Sequence, residues 1–392
     1  MKKEVYNVGI IGLGDISQVY INNLKKYPIV NLLACSCRSL EKATRIAKAN
    51  DIPRPYPGTA ELLADPDLDV ILNLTLPGVH GPINCAALEA GKHVYTEKPL
   101  AKNRAEATEI MAIAASKNLT VGSAPDTFLG GRLQACRTLI DTGRIGRIIG
   151  ASAFVVSHGH EWHHPNPDFF YQPGAGPLLD IGPYYMTALL SLLGPVRSVC
   201  AMTNRAFDER VIESNPRRGE SIPVDVDTHI SANLAFRNGA IGTLITSFDV
   251  WDSELPRLEI YGTKGTICLR DVDPLSGPNL FGGDIWLTTR ENYRWTSNPR
   301  PPHLAEWVVV KHDHPFNETS HAKNSRGIGL IDMVYAIQQG RAPRASGDMA
   351  YHSLDVMESI LESAGNETFI PIQSTFELPS PLPKDFPLSE QC

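Results

Sequence analysis

The chain has 392 residues, 42% of them hydrophobic and 20% charged, which suits a globular protein large enough for two domains. Its net charge of −7 includes no block of Lys or Arg, which excludes a surface built to neutralise nucleic-acid phosphates or anionic lipid. No apolar stretch approaches the ~20 residues of a membrane helix. The Gly-studded run at residues 8–13 is too short for a secretion signal and lacks a cleavage site after it. Seven cysteines, scattered and without a C-x-x-C pair, read as reduced thiols of a cytoplasmic protein.

Along the chain, residues 5–11 form a short apolar strand that runs into a Gly turn and a helical stretch at 17–27. A strand at 30–37, a helix at 40–50 and strands at 70–74, 93–97 and 120–122 follow, with helices at 83–90 and 104–117 between them. Alternating strands and helices, with the strands apolar almost throughout, predict a doubly wound parallel sheet of the Rossmann type. After about residue 147 the period changes to two, with strands at 148–156, 229–236, 240–249, 257–261 and 266–270. The turn Arg237-Asn238-Gly239 joins two of them as a hairpin. This predicts a second, α+β domain with a large, mostly antiparallel open sheet. Helices at 328–339 and 353–364 are expected to pack on it. The expected division is a dinucleotide-binding domain at 1–125, a substrate-binding and oligomerisation domain at 126–372, and a Pro- and Ser-rich arm at 373–392.

Gly12-Leu13-Gly14-Asp15-Ile16-Ser17 closes the first strand and opens the first helix. Two glycines there allow a tight turn and close approach of a pyrophosphate to the helix N-terminus, with small Ser17 in place of a third glycine. The second strand ends Cys35-Ser36-Cys37-Arg38-Ser39, without the acid that holds an adenosine ribose in NAD sites. Arg38 flanked by hydroxyls suits a 2′-phosphate, so the cofactor is expected to be NAD(P)(H) with a lean to NADP.

A later strand ends in Glu97-Lys98-Pro99. Together with the dinucleotide turn, Asn73-Leu74-Thr75-x-Pro77-x-x-His80 and Gly174-Ala175-Gly176-Pro177-Leu178-Leu179-Asp180-Ile181-Gly182, this resembles the glucose–fructose oxidoreductase / inositol dehydrogenase (Gfo/Idh/MocA) family over nearly the whole chain. The resemblance implies a site at the junction of the two domains, with Lys98 and Asp180 beside the nicotinamide and a reacting sugar hydroxyl. It also implies that Asp15, Ile16, Asn73, Thr75, Pro77, His80 and Glu97 serve the cofactor, and that Asp126 serves the substrate. Family members mostly oxidise or reduce sugars, inositols and related polyols. They usually carry a His four residues after the aspartate; Tyr184 stands there in this chain.

The residue types fit the chemistry in their own right. Oxidising a secondary alcohol needs a hydride acceptor and a group to take the hydroxyl proton. A lysine with a depressed pKa can hydrogen-bond the reacting oxygen. Asp180 and Tyr184, four apart around a helix start, can share a face. Lys98 as a surface cation, Asp180 as a helix cap and Tyr184 as a core aromatic are the plainer readings.

The segment His158-Gly159-His160-Glu161-Trp162-His163-His164-Pro165-Asn166 lacks helical ligand spacing and a Cys partner, so no metal is expected. It reads as a sugar-binding loop, with Trp162 stacking on C–H faces and His160, His163 and Asn166 holding hydroxyls. The Asn324-Ser325-Arg326-Gly327 turn is a second candidate, Arg326 suiting an anionic substituent.

The expected function is a reversible dehydrogenase of a sugar, polyol or glycoside, forming a homodimer or homotetramer. The alternative is a redox-neutral glycoside hydrolase that oxidises C3 transiently, eliminates the aglycone, adds water and reduces again. A dinucleotide-binding scaffold without chemistry is the third class, against which Lys98 and Asp180 argue.

Overall fold

Alternation of β-strands with helices along the first part of the chain builds a six-stranded parallel sheet in the computed structural model, which describes residues 3–270, 281–292, 306–320 and 324–388. Its elements are β1 (Tyr6–Ile11), α1 (Ser17–Leu24), β2 (Val30–Ser36), α2 (Leu40–Ala49), β3 (Arg54–Tyr56), α3 (Thr59–Leu63), β4 (Val70–Asn73), α4 (His80–Glu89), β5 (His93–Thr96), α5 (Arg104–Lys117) and β6 (Val121–Ser123). The strand order β3-β2-β1-β4-β5-β6 reverses direction between β1 and β4. At that switch the carboxyl ends of the strands leave a crevice for a ligand. Val8, Ile10, Ile71, Leu72, Val94 and Tyr95 are fully buried, which is why these strands read as continuous apolar runs. Polar caps start the flanking helices: Ser39 accepts from the Lys42 amide before α2, and Asn103 from the Glu106 amide before α5.

A second unit is built on a nine-stranded sheet. Its elements run α6 (Gly131–Asp141), β7 (Ile148–Val156), α7 (Gly176–Asp180), α8 (Gly182–Leu193), β8 (Val196–Asn204), β9 (Glu209–Val211), β10 (Ser221–Pro223), β11 (His229–Phe236), β12 (Ile241–Ser247), β13 (Leu258–Gly262), β14 (Gly265–Leu269), β15 (Ile285–Thr289) and β16 (Val308–Val310). The sheet order is β16-β15-β14-β13-β7-β12-β11-β8-β17, where β17 is Ile370–Pro371. All its pairings are antiparallel except β7 with β12. Burial alternates along β11, so one face of the sheet is covered and the other faces solvent. The covering helix α8 is buried along its whole length, including Tyr184 and Tyr185.

The chain divides into Met1–Leu129, Ala322–Leu354 and Asp385–Cys392 in the first unit, and Gly130–His321 and Asp355–Lys384 in the second. The helix α9 (Ile328–Gln339) therefore belongs with the parallel sheet, touching α1 and β6, and not with the second sheet as expected above. Gly327 at φ +100° sets its start against the ring of Tyr20, a close approach invisible in the apolar pattern of the helix. The last long helix, α10 (Gly347–Asn366), begins in the first unit and ends in the second. Residues 373–383 carry no helix or strand, and Phe376 and Leu382 are buried. Gln134 accepts the Leu382 amide at 2.7 Å, which fastens the arm to α6.

Candidate active site

The residues that fit a cofactor lie in the first unit. Gly12 sits at φ +97°, and a Cβ on it would come within 2.6 Å of the Leu74 carbonyl, so only glycine fits this crossing of β1 and β4. Gly14 faces open space beside Asp15, which is exposed, and the half-buried Ile16. No acidic residue occupies the first turn of α1, so its free amides and positive dipole end suit a pyrophosphate. Ser17 is buried and donates to the Gly14 carbonyl at 2.6 Å, closing the turn without a third glycine. At the end of β2, Ser36 is fully buried while Arg38 is exposed next to the α2 cap. These features fit a dinucleotide.

Below the β4 end, the predicted residues form a clamp. Asn73, fully buried, accepts from the Thr75 amide and hydroxyl and donates to Asn84 at 2.8 Å. Both ring nitrogens of His80 face carbonyls, Nδ1 that of Pro99 at 2.7 Å and Nε2 that of Thr75 at 3.0 Å. Burial holds its pKa below the ordinary value in spite of those two acceptors. His80 thereby ties the Thr75–Pro77 loop to the Lys98 segment.

Glu97, the buried member of Glu97-Lys98-Pro99, accepts from the Tyr20 hydroxyl at 2.7 Å and the Lys98 amide at 3.0 Å, with Arg326 Nη1 3.8 Å away. Burial, then Glu97, keeps the Tyr20 phenol protonated far above its usual range. Lys98 itself is half-buried at the end of β5. Behind it, Asp126 accepts from the Gly327 and Gly329 amides at 2.7 and 3.0 Å and so caps α9. Desolvation pushes its carboxyl up to about 6, more than the two amides and Arg326 pull it down. Asn324 accepts from the Arg326 amide at 3.0 Å, and Asn23 donates to both their carbonyls. Asp126, Asn324 and Arg326, read from sequence as substrate contacts, are each at most 9% exposed and brace the first unit.

The second unit carries the aspartate. Gly176 at φ +83° turns the chain into α7, with Pro177 preset for its first turn. Five residues later the helix stops, and Gly182-Pro183 starts α8. Asp180 occupies this elbow, partly exposed, and Tyr184 the first turn of α8, only 7% exposed. The two are separated by a helix break, where the spacing alone suggested one helix start.

Buried side-chain bonds hold the histidine-rich loop in place. The loop leaves β7 and is pinned by Glu161, which is bound by the Tyr171 hydroxyl and by Arg210. Arg210 also grips Asp249, and its side chain is 3% exposed. Burial favours a neutral Glu161, but Tyr171 and Arg210 outweigh it and hold the carboxyl below its ordinary pKa. The His160 ring stacks on Phe170 with centroids 3.9 Å apart, and its Nε2 lies 3.4 Å from Asp180 Oδ2. Burial and the neighbouring His160 and His164 lower the His163 pKa. Trp162, 60% exposed, and exposed Asn166 stand at the surface of the loop. The described residues include no cluster of three His, Cys, Asp or Glu arranged for a metal. The Glu161–Arg210–Asp249 network went unread in the sequence; a lone Arg 49 residues after the glutamate gives no local signal.

Comparison with known proteins closes the question of kinship. Residues 6–124 match the oxidoreductase family with an NAD-binding Rossmann fold, and residues 133–268 match the GFO/IDH/MocA C-terminal domain. The chain belongs to the Gfo/Idh/MocA oxidoreductase family. It is 33% identical over 268 residues to a trans-1,2-dihydrobenzene-1,2-diol dehydrogenase of Xenopus laevis, covering 66% of this chain and 73% of that one. A levoglucosan dehydrogenase of Pseudarthrobacter phenanthrenivorans is 26% identical over 329 residues, 79% of this chain and 82% of its own. Among solved structures, a levoglucosan dehydrogenase in complex with NADH and L-sorbose shares the fold at TM-score 0.77 and 22% identity, covering 94% of this chain and 99% of that one. The Gfo/Idh/MocA chain is accordingly an enzyme of the oxidoreductase class with an NAD-binding domain. No described helix is long and apolar enough to cross a membrane.

Proposed function

We propose that this enzyme transfers a hydride between NAD(P) and a secondary hydroxyl of a sugar, polyol or glycoside. The observation that carries the reading is the fixing of Lys98 at the end of β5 by buried Glu97, on a sheet whose β1 turn fits a dinucleotide. The relatives' names support a dehydrogenase of hydroxylated compounds, and the NADH and L-sorbose in the solved relative support a carbohydrate.

In this reading Gly12, Gly14 and the start of α1 hold the pyrophosphate, and the bound nicotinamide supplies the hydride acceptor. Lys98 donates a hydrogen bond to the reacting oxygen and offsets the negative charge that grows on it. Asp180 takes the hydroxyl proton, and Tyr184 packs beside the aspartate elbow. Trp162 offers an exposed face for C–H stacking, with His163 and Asn166 for ring hydroxyls. Asn73, Thr75, Pro77 and His80 shape the loop that carries the cofactor. For the cofactor we favour NADP, because β2 ends without an acid and Arg38 is exposed beside Ser39. Tighter binding of NAD+ than of NADP+ in a titration overturns that preference.

Reduced, scattered thiols support a cytoplasmic location. Exposed Met202 and Ile241 on the open face of the second sheet support a homodimer or homotetramer, and a monomer mass by light scattering contradicts it. The function itself is tested with a panel of sugars, polyols and glycosides and both oxidised cofactors. Reduced nicotinamide rising in step with a carbonyl product is the expected result. Aglycone release with only catalytic cofactor and no net absorbance change assigns the redox-neutral hydrolysis instead. No turnover of any member overturns the reading.

A further inference from the structure

The Asp180 carboxylate has an imidazole beside it that the sequence does not pair with it. His160 Nε2 is 3.4 Å from Asp180 Oδ2, and neither ring nitrogen makes a hydrogen bond among the described residues, although both are buried. A buried imidazole without partners costs free energy unless a charged group pairs with it. The ring is held in plane by Phe170, stacked at 3.9 Å and 22°, and from the edge by Phe248 at 4.8 Å and 79°. Its backbone amide donates to the Tyr171 hydroxyl at 3.2 Å, and Tyr171 is in turn bound to Glu161. The ring is therefore held at both ends, with its Nε2 3.4 Å from the Asp180 carboxylate.

We propose that His160 is the positioning and relay residue of Asp180, rather than a sugar-binding side chain. This rests on the oxidoreductase reading above. In the oxidation the substrate O–H bond breaks as its proton bonds to Asp180, and the Asp180 O–H bond then breaks as the same proton bonds to the lone pair of His160 Nε2. The electron pair of the O–H bond becomes the second bond of the product carbonyl as the carbon-bound hydrogen leaves as hydride. An imidazolium then faces a carboxylate again, so Asp180 is returned to the form that can take the next hydroxyl proton. Among the described residues, Asp180 from α7 and His163 of its own loop lie against the ring, while Tyr171 and His164 bond its backbone and Glu161 bonds Tyr171.

Two substitutions separate this role from packing. His160→Phe keeps a flat ring on Phe170 but removes both nitrogens, while His160→Gln keeps a polar donor near Nε2. His160→Phe is expected to lose about 100-fold in kcat with cofactor affinity and carbohydrate KM nearly unchanged. His160→Gln is expected to recover part of the loss, and imidazole added to His160→Ala likewise. Full turnover in His160→Phe, or a parallel rise in KM with no rescue, overturns the proposal and leaves the oxidoreductase reading standing. A second readout needs no activity: the His160 ring nitrogen resonances at one pH, compared between the wild type and Asp180→Asn. Losing the carboxylate 3.4 Å away should move the Nε2 resonance and leave Nδ1 nearly where it was. An unmoved Nε2 resonance overturns the pairing, whereas a paired imidazole in a protein that turns over no carbohydrate indicts the functional reading alone.

Discussion

Replacing Asp126 by Asn should change how the stability of the first unit depends on pH. Asp126 is buried, receives the Gly327 and Gly329 amides, and has its carboxyl raised from 3.8 to about 6, chiefly by desolvation. A carboxyl with a raised native pKa holds its proton in the folded state over a window where the unfolded chain has released it. Its contribution is thus fully present below about pH 4 and is lost as the pH climbs through about 6. Two units or so at 1.36 kcal/mol each come to about 3 kcal/mol across that window. Asn can still accept from the two amides through its carbonyl but does not titrate. The difference in unfolding free energy between wild type and Asp126→Asn should therefore swing by about 3 kcal/mol toward the mutant between about pH 4 and pH 7. Urea unfolding, followed by hydrogen exchange of the Gly327 and Gly329 amides, measures it. A constant difference across the range would falsify the argument that burial dominates at Asp126.

Gly12→Ala should abolish measurable dinucleotide binding, because its Cβ meets the Leu74 carbonyl at 2.6 Å and φ is +97°; fluorescence titration with both reduced cofactors checks this, and near-native affinity counts against the turn. Arg38→Ala should weaken NADP binding at least tenfold more than NAD binding, about the worth of one charge-assisted phosphate contact; calorimetry with each cofactor decides it. Glu161→Gln should cost about 3–5 kcal/mol by leaving Arg210 partly unpaired in a buried site. Thermal unfolding of the variant, with a matched Arg210→Met, tests whether the pair or its burial is responsible.

The fold was legible wherever a single period persisted over a whole element. The helices at Arg104–Lys117 and Ile328–Gln339 and the strands at Ile148–Val156 and His229–Phe236 stand where the pattern places them. The three-residue β3 is too short for any period, and the fully buried α8 has no polar face to mark a helix. The α9 helix carries no sign of which sheet it serves, since an apolar face does not name its partner. The site was half legible. The Gly12 turn is local and readable from spacing, and the Glu97-Lys98-Pro99 segment is local and readable from its resemblance to the family. The bond from Tyr20 to Glu97, the cap from Asp126 to α9 and the approach of His160 to Asp180 join residues far apart in the chain, and no local pattern records them.

Hydride transfer dependent on Lys98 is the central claim, and isotope tracing tests it most directly. A carbohydrate that the panel shows to be turned over is deuterated at the carbon bearing the reacting hydroxyl and incubated with the oxidised cofactor. The account predicts that the wild type yields reduced nicotinamide carrying one deuterium, in equal amount to a carbonyl product. In Lys98→Ala, the same transfer should fall by at least about 100-fold with cofactor affinity retained. Reduced cofactor free of deuterium, or undiminished transfer by Lys98→Ala, contradicts the account.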